Sequence, residues 1–356
     1  MLTLDEAIAF PKVLLHDHLD GGLRPSTLLL LADELGHELP SDEPGELIEH
    51  ITENVDSGDL LRYLSMFEHT LAVMQRADWI ERIAAEAVVD LAADGVVYAE
   101  IRFAPELHQQ DGLALDEIVA AVTAGLRRGE TEAAAAGRSI TANTILCAMR
   151  TEDRSLEIAQ LVDRVRAWDD KVVAFDLAGA ETGFPPSLHA EALAFARRTH
   201  QNITIHASEP PDLDLIAEGV EYGAHRIGHG VRLQADMAHD ASGLAAPAEG
   251  MGPLARHVLD RQIHLEMAPT CHVHVAAVPS IELHPLVPML RAGFNVGINT
   301  DNRLMSQVMP SSELHVIANT HDLTTDEMRQ LSVNAMRSSF APLEVREQIL
   351  ADHLSS

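Results

Sequence analysis

Short apolar runs rich in valine, isoleucine and alanine alternate along this chain with longer amphipathic stretches rich in alanine, leucine and glutamate. The short runs predict strands over residues 12–18, 96–102, 140–149, 172–177, 202–206, 225–228, 262–267 and 295–300. Between them apolar positions recur at helical spacing, for example over residues 78–94, 116–136, 156–168 and 189–200. Strand–helix alternation repeated this often implies a parallel sheet with helical crossovers. Eight strands are the number that closes a (β/α)8 TIM barrel. The alternative α/β solution, an open doubly wound sheet, is disfavoured because neither G-x-G-x-x-G nor G-x-x-x-x-G-K-[ST] follows any strand.

Two segments depart from an even repeat. The stretch between the first two strands, residues 19–95, is longer than one crossover helix needs and predicts extra helices inserted after strand 1. One of them covers residues 60–74, where Leu60, Tyr63, Leu64 and Phe67 share a face; on spacing alone that face is core packing. Residues 236–253, rich in Ala, Gly and Pro, read as a surface loop after strand six. No long linker divides the chain, so residues 1–356 are expected to form a single domain.

Composition narrows the function classes. A 46% hydrophobic content with 22% charged residues supports a buried core rather than disorder. The formal net charge of −30 argues against nucleic acid or an anionic membrane as partner. No apolar run is long enough to span a bilayer, and the opening MLTLDEAIAFPK has no signal-peptide pattern. Cys147 and Cys271 are the only cysteines, too few for a disulfide framework or an all-cysteine zinc site. A reducing, cytoplasmic setting is expected. The count that stands out is 20 histidines, since neutral imidazole is the commonest protein metal ligand.

Their placement carries the argument. In a (β/α)8 barrel the carboxyl ends of the strands converge on one mouth, where catalysis sits. Here those ends read His16-Asp17-His18, Glu100-Ile101-Arg102, Asp176 to Gly179, His206 to Glu209, Gly228-His229-Gly230 and Thr300-Asp301-Asn302. His16 and His18, two apart on a strand, present both imidazoles to one side while Asp17 points away. An isolated H-x-H is weak evidence. With His206 and Asp301 it makes a nitrogen and carboxylate set that suits a catalytic Zn2+, one per chain. Taken singly, His206 is equally a buried hydrogen-bonded histidine and Asp301 a helix cap.

Glu209 lies three residues beyond His206, where a partly apolar pocket raises a carboxyl pKa and makes it a proton donor. A first-turn helix acid is its bland alternative. His229, flanked by glycines, is placed either to take a proton from activated water or to hold developing alkoxide charge, if it is more than a turn histidine. The second H-x-H, His272 and His274, lacks an acidic partner, and the preceding Pro269 suggests a loop. Cys271 reads as structural. Nucleophilic serine chemistry lacks a G-x-S-x-G elbow, and the H-x-E…P-C-x-x-C pattern of cytidine-type deaminases is absent. A two-metal hydrolase lacks a bridging residue, because Lys171 lies at the wrong end of strand four.

In order, HDHLDG (16–21), YAEIRFAP (98–105), ILCAMR (145–150), DLAGAE (176–181), HASE (206–209), RIGHG (226–230) and NTDN (299–302) resemble the metal-dependent adenosine deaminases of the amidohydrolase superfamily. The resemblance runs from about Pro11 to Phe340. It implies a (β/α)8 barrel with one zinc, converting adenosine or 2′-deoxyadenosine to inosine or 2′-deoxyinosine plus ammonia by attack of metal-bound hydroxide on purine C6. Carried over by position, it implies His16, His18, His206 and Asp301 as zinc ligands, Glu209 as proton donor to purine N1, and His229 with Asp301 acting on the attacking water. It further implies a small-molecule purine nucleoside held by Gly179, by Asp20 with His18 near the ribose 5′-hydroxyl, and by Asn302, with Leu60, Tyr63, Leu64 and Phe67 as an apolar lid.

The chain departs from the family pattern at Ser208, where glycine is usual, at Asn302, where a second aspartate is usual, and at TCHVH (270–274). An amide at 302 can still donate to purine N7. These departures leave open a different 6-aminopurine, either adenine or a ribose-modified adenosine. A non-catalytic nucleoside-binding protein has no need of Glu209, His229 and a full ligand set.

Overall fold

The computed structural model describes residues 1–58 and 60–355. Its sheet runs in sequence order through β1 (Lys12–His18), β2 (Val96–Phe103), β3 (Thr141–Met149), β4 (Val172–Ala178), β5 (Asn202–Ala207), β6 (Arg226–His229), β7 (His264–Met267) and β8 (Val296–Ile298). Every neighbouring pair is parallel. β8 returns to β1 through a single parallel bridge between Asp17 and Asp301. With helices packed outside, the architecture is the expected (β/α)8 barrel.

The strands are buried on both faces, and their twofold periodicity sorts the residues. In β2, Ala99, Ile101 and Phe103 join the large apolar layer under the helices. Glu100 and Arg102 face the other way, into the barrel, where both are fully buried. The interior holds a chain of ion pairs. Arg226 joins Glu100 and Glu266, and Arg102 joins Glu266 and Asp176, at 2.6–2.8 Å. Each carboxylate here faces a guanidinium, the condition under which buried charge is tolerated.

Several local expectations change. The helix expected over residues 60–74 divides into Leu60–Ser65 and Phe67–Ala72, turning at Met66, whose amide closes a tight turn onto the Tyr63 carbonyl. Pro269 begins a short helix, Pro269–His274, rather than a loop; at the first helical position its missing N–H costs nothing. The 236–253 segment is a loop, but it folds back on itself through bridges Met237–Met251 and His239–Ala245. Asp236 pins its end by accepting the Ala255 amide. The extra helices expected after β1 include Pro25–Leu35 and Pro44–Val55.

Candidate active site

The barrel's closing bridge also builds the site. The Asp301 amide donates to the His16 carbonyl at 3.0 Å, and the His18 amide donates to the Asp301 carbonyl at 2.7 Å. Asp301 is thereby held between the two alternate residues of β1 whose imidazoles face inward. Its Oδ1 lies 3.1 Å from His16 Nε2 and 3.4 Å from His18 Nε2. His206, at the end of β5, brings its Nε2 to 3.1 Å from His18 Nε2. Gly228 on β6 permits this crowding: a Cβ there would lie 3.0 Å from the His206 Cα and 3.3 Å from the His16 ring.

Carboxylates behind the imidazoles set their tautomers. His16 Nδ1 pairs with Glu266 Oε2 at 3.0 Å, and His206 Nδ1 with Asp176 at 3.1 Å. Burial alone would raise Glu266, but Arg102 and Arg226 hold it down to about 2. Burial likewise opposes ionisation of Asp176, and His206 with Arg102 overcomes it, leaving that carboxyl below its ordinary range. Anionic acceptors at both Nδ1 positions leave the Nε2 lone pairs of His16 and His206 turned inward. His16 Nε2 is buried with no hydrogen-bond partner among the described residues. Burial also keeps His16 and His18 well below the usual imidazole pKa, in the neutral form that a metal requires. Imidazole lone pairs and a carboxylate meeting in this way, with His16 and His206 each backed by its own carboxylate, suit a divalent metal ion.

The catalytic candidates close over this cluster. Donor atoms of His16, His206, His229 and Asp301 lie within 4.8 Å of one another. His229, in the left-handed region at φ +62°, sets its Nε2 3.6 Å from Glu209 Oε1 and its Nδ1 3.1 Å from His272 Nε2. Burial, then the neighbouring carboxylates of Glu181 and Asp301, push Glu209 well above the normal glutamate pKa. Burial of this kind favours the neutral carboxyl over the carboxylate.

A cavity of about 220 Å3 opens above these groups. His18, Asp20, Glu209, His229, Asp301 and Asn302 form its polar floor, and Gly179 lines it at φ +94°. Leu64, Phe67, Leu71, Leu107 and Met149 supply apolar walls beside Tyr63. Tyr63 is anchored by its hydroxyl, 3.2 Å from Ser306 Oγ. The side chain of Leu60, expected on the same face, lies outside the described residues. Asp20 Oδ1 and Asn302 Oδ1 are buried without hydrogen-bond partners among the described residues.

Of the strand-end residues singled out from the sequence, Asp17 turns away as expected, bound by Arg303 and Thr300. Glu100 does not reach the mouth; it lies deeper in the barrel on Tyr98 and Arg226. Cys271 is more than packing, because its thiol donates to Asp301 Oδ2 at 2.9 Å. Sequence reasoning missed Glu266, Glu181 and His284. Glu266 carried a signal, a lone acid at an inward position of an apolar strand. Glu181 closed the DLAGAE motif without a role of its own and His284 gave no signal, since only the fold brings them to their partners.

A family model described as adenosine deaminase matches residues 11–355. The chain belongs to the adenosine deaminase family. It is 46% identical to an adenosine deaminase of Mycolicibacterium gilvum over 351 residues, covering 98% of this chain and 95% of the relative. It is 45% identical to one of Mycobacteroides abscessus over 344 residues, covering 96% and 93%. Among solved structures it is similar to an adenine deaminase from Arthrobacter aurescens, with TM-score 0.81 and 26% identity over 96% of this chain and 97% of that one. An Arabidopsis N6-mAMP deaminase gives TM-score 0.80 and 25% identity over 97% and 98%. The resemblance read from HDHLDG, HASE, RIGHG and NTDN is thus a family membership. Among the described residues of this deaminase-family chain, no helix is long and apolar enough to cross a membrane.

Proposed function

We propose that this chain hydrolyses adenosine and 2′-deoxyadenosine to inosine and 2′-deoxyinosine, releasing ammonia, with one Zn2+ held by His16, His18, His206 and Asp301. The carrying observation is the juxtaposition of that inward-facing donor cluster with the buried Glu209 carboxyl, whose pKa burial raises, across one cavity. A bound divalent ion supplies Lewis acidity that brings the pKa of water towards about 7.

The chain's own groups do the rest. Glu209 donates its proton to purine N1, withdrawing electrons from C6. His229 and Asp301 between them orient the attacking water and accommodate its proton. Once oxygen has added to C6, the C6–N bond breaks and the amine leaves as ammonia, carrying a proton from the site. The Gly179 amide faces purine N3, and Asn302 faces N7. Asp20 takes the ribose 5′-hydroxyl, which its unpartnered Oδ1 would otherwise lack. Tyr63, Leu64 and Phe67 cover the nucleoside and exclude water. Two unpaired, buried cysteines suit a reducing cytoplasm.

Deamination of free adenine is a second reading, favoured by the likeness to the A. aurescens enzyme. It leaves Asp20 with nothing to bind. Ammonia release from adenosine, 2′-deoxyadenosine, adenine and ribose-modified adenosines, with metal-loaded protein, chelated protein and Glu209→Gln side by side, tests both readings. Turnover of adenosine that chelation and Glu209→Gln abolish is the expected result. Turnover of adenine alone overturns the substrate, and turnover that survives chelation overturns the mechanism.

A further inference from the structure

Behind His229 stand two more buried histidines that the proposed chemistry does not use. His229 Nδ1 lies 3.1 Å from His272 Nε2, and His272 Nδ1 lies 2.9 Å from His284 Nε2. The rings of His272 and His284 are parallel to within 2°. The row ends on a fixed donor: the backbone N–H of Leu286, which opens the helix Leu286–Arg291, donates to His284 Nδ1 at 3.2 Å.

That amide removes the ambiguity of the row. A neutral imidazole carries one N–H and one lone pair. The Leu286 N–H requires the lone pair at His284 Nδ1, so the His284 proton sits on Nε2 and is given to His272 Nδ1. His272 in turn carries its proton on Nε2 and gives it to His229 Nδ1. His229 is left with its own proton on Nε2, the nitrogen that faces Glu209 and the cavity. The reverse polarity would set two N–H groups against each other at His284 and leave a buried donor unsatisfied, at a cost of about 1–3 kcal/mol. Burial keeps His272 neutral and holds His284 near 3, so neither escapes the choice by taking a second proton.

We propose that His272 and His284 are positioning residues that hold His229 as its Nε2–H tautomer, making it a hydrogen-bond donor to the oxygen attacking C6 rather than the base. The inference rests on the proposed deamination and decides between the two roles open to His229. The water proton then passes to the Asp301 carboxylate and from there to the departing amine, while Glu209 supplies the proton on N1. A protonated Nε2 also keeps His229 out of the metal's ligand set, although it stands beside it.

The test is a long-range 1H–15N correlation spectrum of metal-loaded protein labelled with 15N-histidine. Signals are assigned by comparison with His272→Asn and His284→Leu. Nε2–H tautomers at His229, His272 and His284 are expected; an Nδ1–H tautomer at His229 or His272 overturns the proposal. His284→Leu is expected to mix the His229 tautomers and to lower kcat tenfold or more with little change in KM. His284→Gln, whose amide can donate to His272 Nδ1, is expected to recover most of that loss. A folded His284→Leu protein that keeps both kcat and the Nε2–H signature overturns the proposal too. If that variant does not fold, the wild-type spectrum decides. Failure of every purine to release ammonia would sink the deaminase reading instead, and would leave the tautomer measurement standing.

Discussion

Glu181 accepts the backbone N–H of Ser208 at 2.6 Å. Its other oxygen accepts the Glu209 amide at 3.1 Å, so one buried carboxylate grips consecutive amides and fixes the turn that aims Glu209. Ser208 sits at φ +75°, where the family's usual glycine pays no Cβ penalty. Ser208→Gly is therefore expected to change stability by less than about 1 kcal/mol, strain relief offsetting glycine's entropy. Ser208→Val should cost about 2 kcal/mol or more. Glu181→Gln, which turns an amide N–H towards one of these donors, should cost about 2–3 kcal/mol and lower kcat. Denaturant unfolding and ammonia release check all three.

Glu209→Gln keeps the shape of the side chain and removes the proton that the proposed mechanism takes from it. Activity is expected to fall about 100-fold or more, with metal content unchanged. Metal analysis alongside steady-state kinetics separates this outcome from loss of the ion.

The Glu266 carboxylate backs His16 and neutralises Arg102 and Arg226. Glu266→Gln is expected to weaken metal affinity about 10–100-fold. Competition against a chromophoric chelator measures it. Removing the metal from wild-type protein should abolish ammonia release and lower the unfolding temperature, because ligand binding stabilises the folded state by mass action.

Burial raises Glu313, on the helix Pro310–Thr320, to about 7, although both its oxygens accept the Thr270 amide. A carboxyl raised above its unfolded value near 4.5 binds more protons folded than unfolded between those pH values. Stability is therefore lost as pH rises from about 4.5 to about 7, and the loss is complete above that window. Glu313→Gln is expected to recover on the order of 1–3 kcal/mol at pH 8 and little at pH 4. Urea unfolding at the two pH values gives the difference.

The barrel was legible because its strands are apolar runs of the right length between helical periods, and strand period and helix period differ enough to be counted. The first strand kept its expected bounds and the other seven shifted at one end or both: the run over 295–300 yields only Val296–Ile298 as strand, since the chain bends off to bridge Asp17. The helix at 60–74 broke at Met66 although its apolar spacing continues, because spacing registers burial and not the turn that carries Tyr63 to Ser306.

By itself the sequence determined the residue types at each strand end, and with them the expectation of a donor set at His16, His18, His206 and Asp301 and of an acid at Glu209. Those follow from local periodicity, which orients neighbouring side chains without reference to the rest of the chain. Only the tertiary structure decided which distant groups stand behind them: Glu266 against His16, Asp176 against His206, Glu181 under Glu209, and His272 and His284 behind His229. Such pairings depend on where strands far apart in sequence come to lie across the barrel, and a one-dimensional pattern carries no term for that distance.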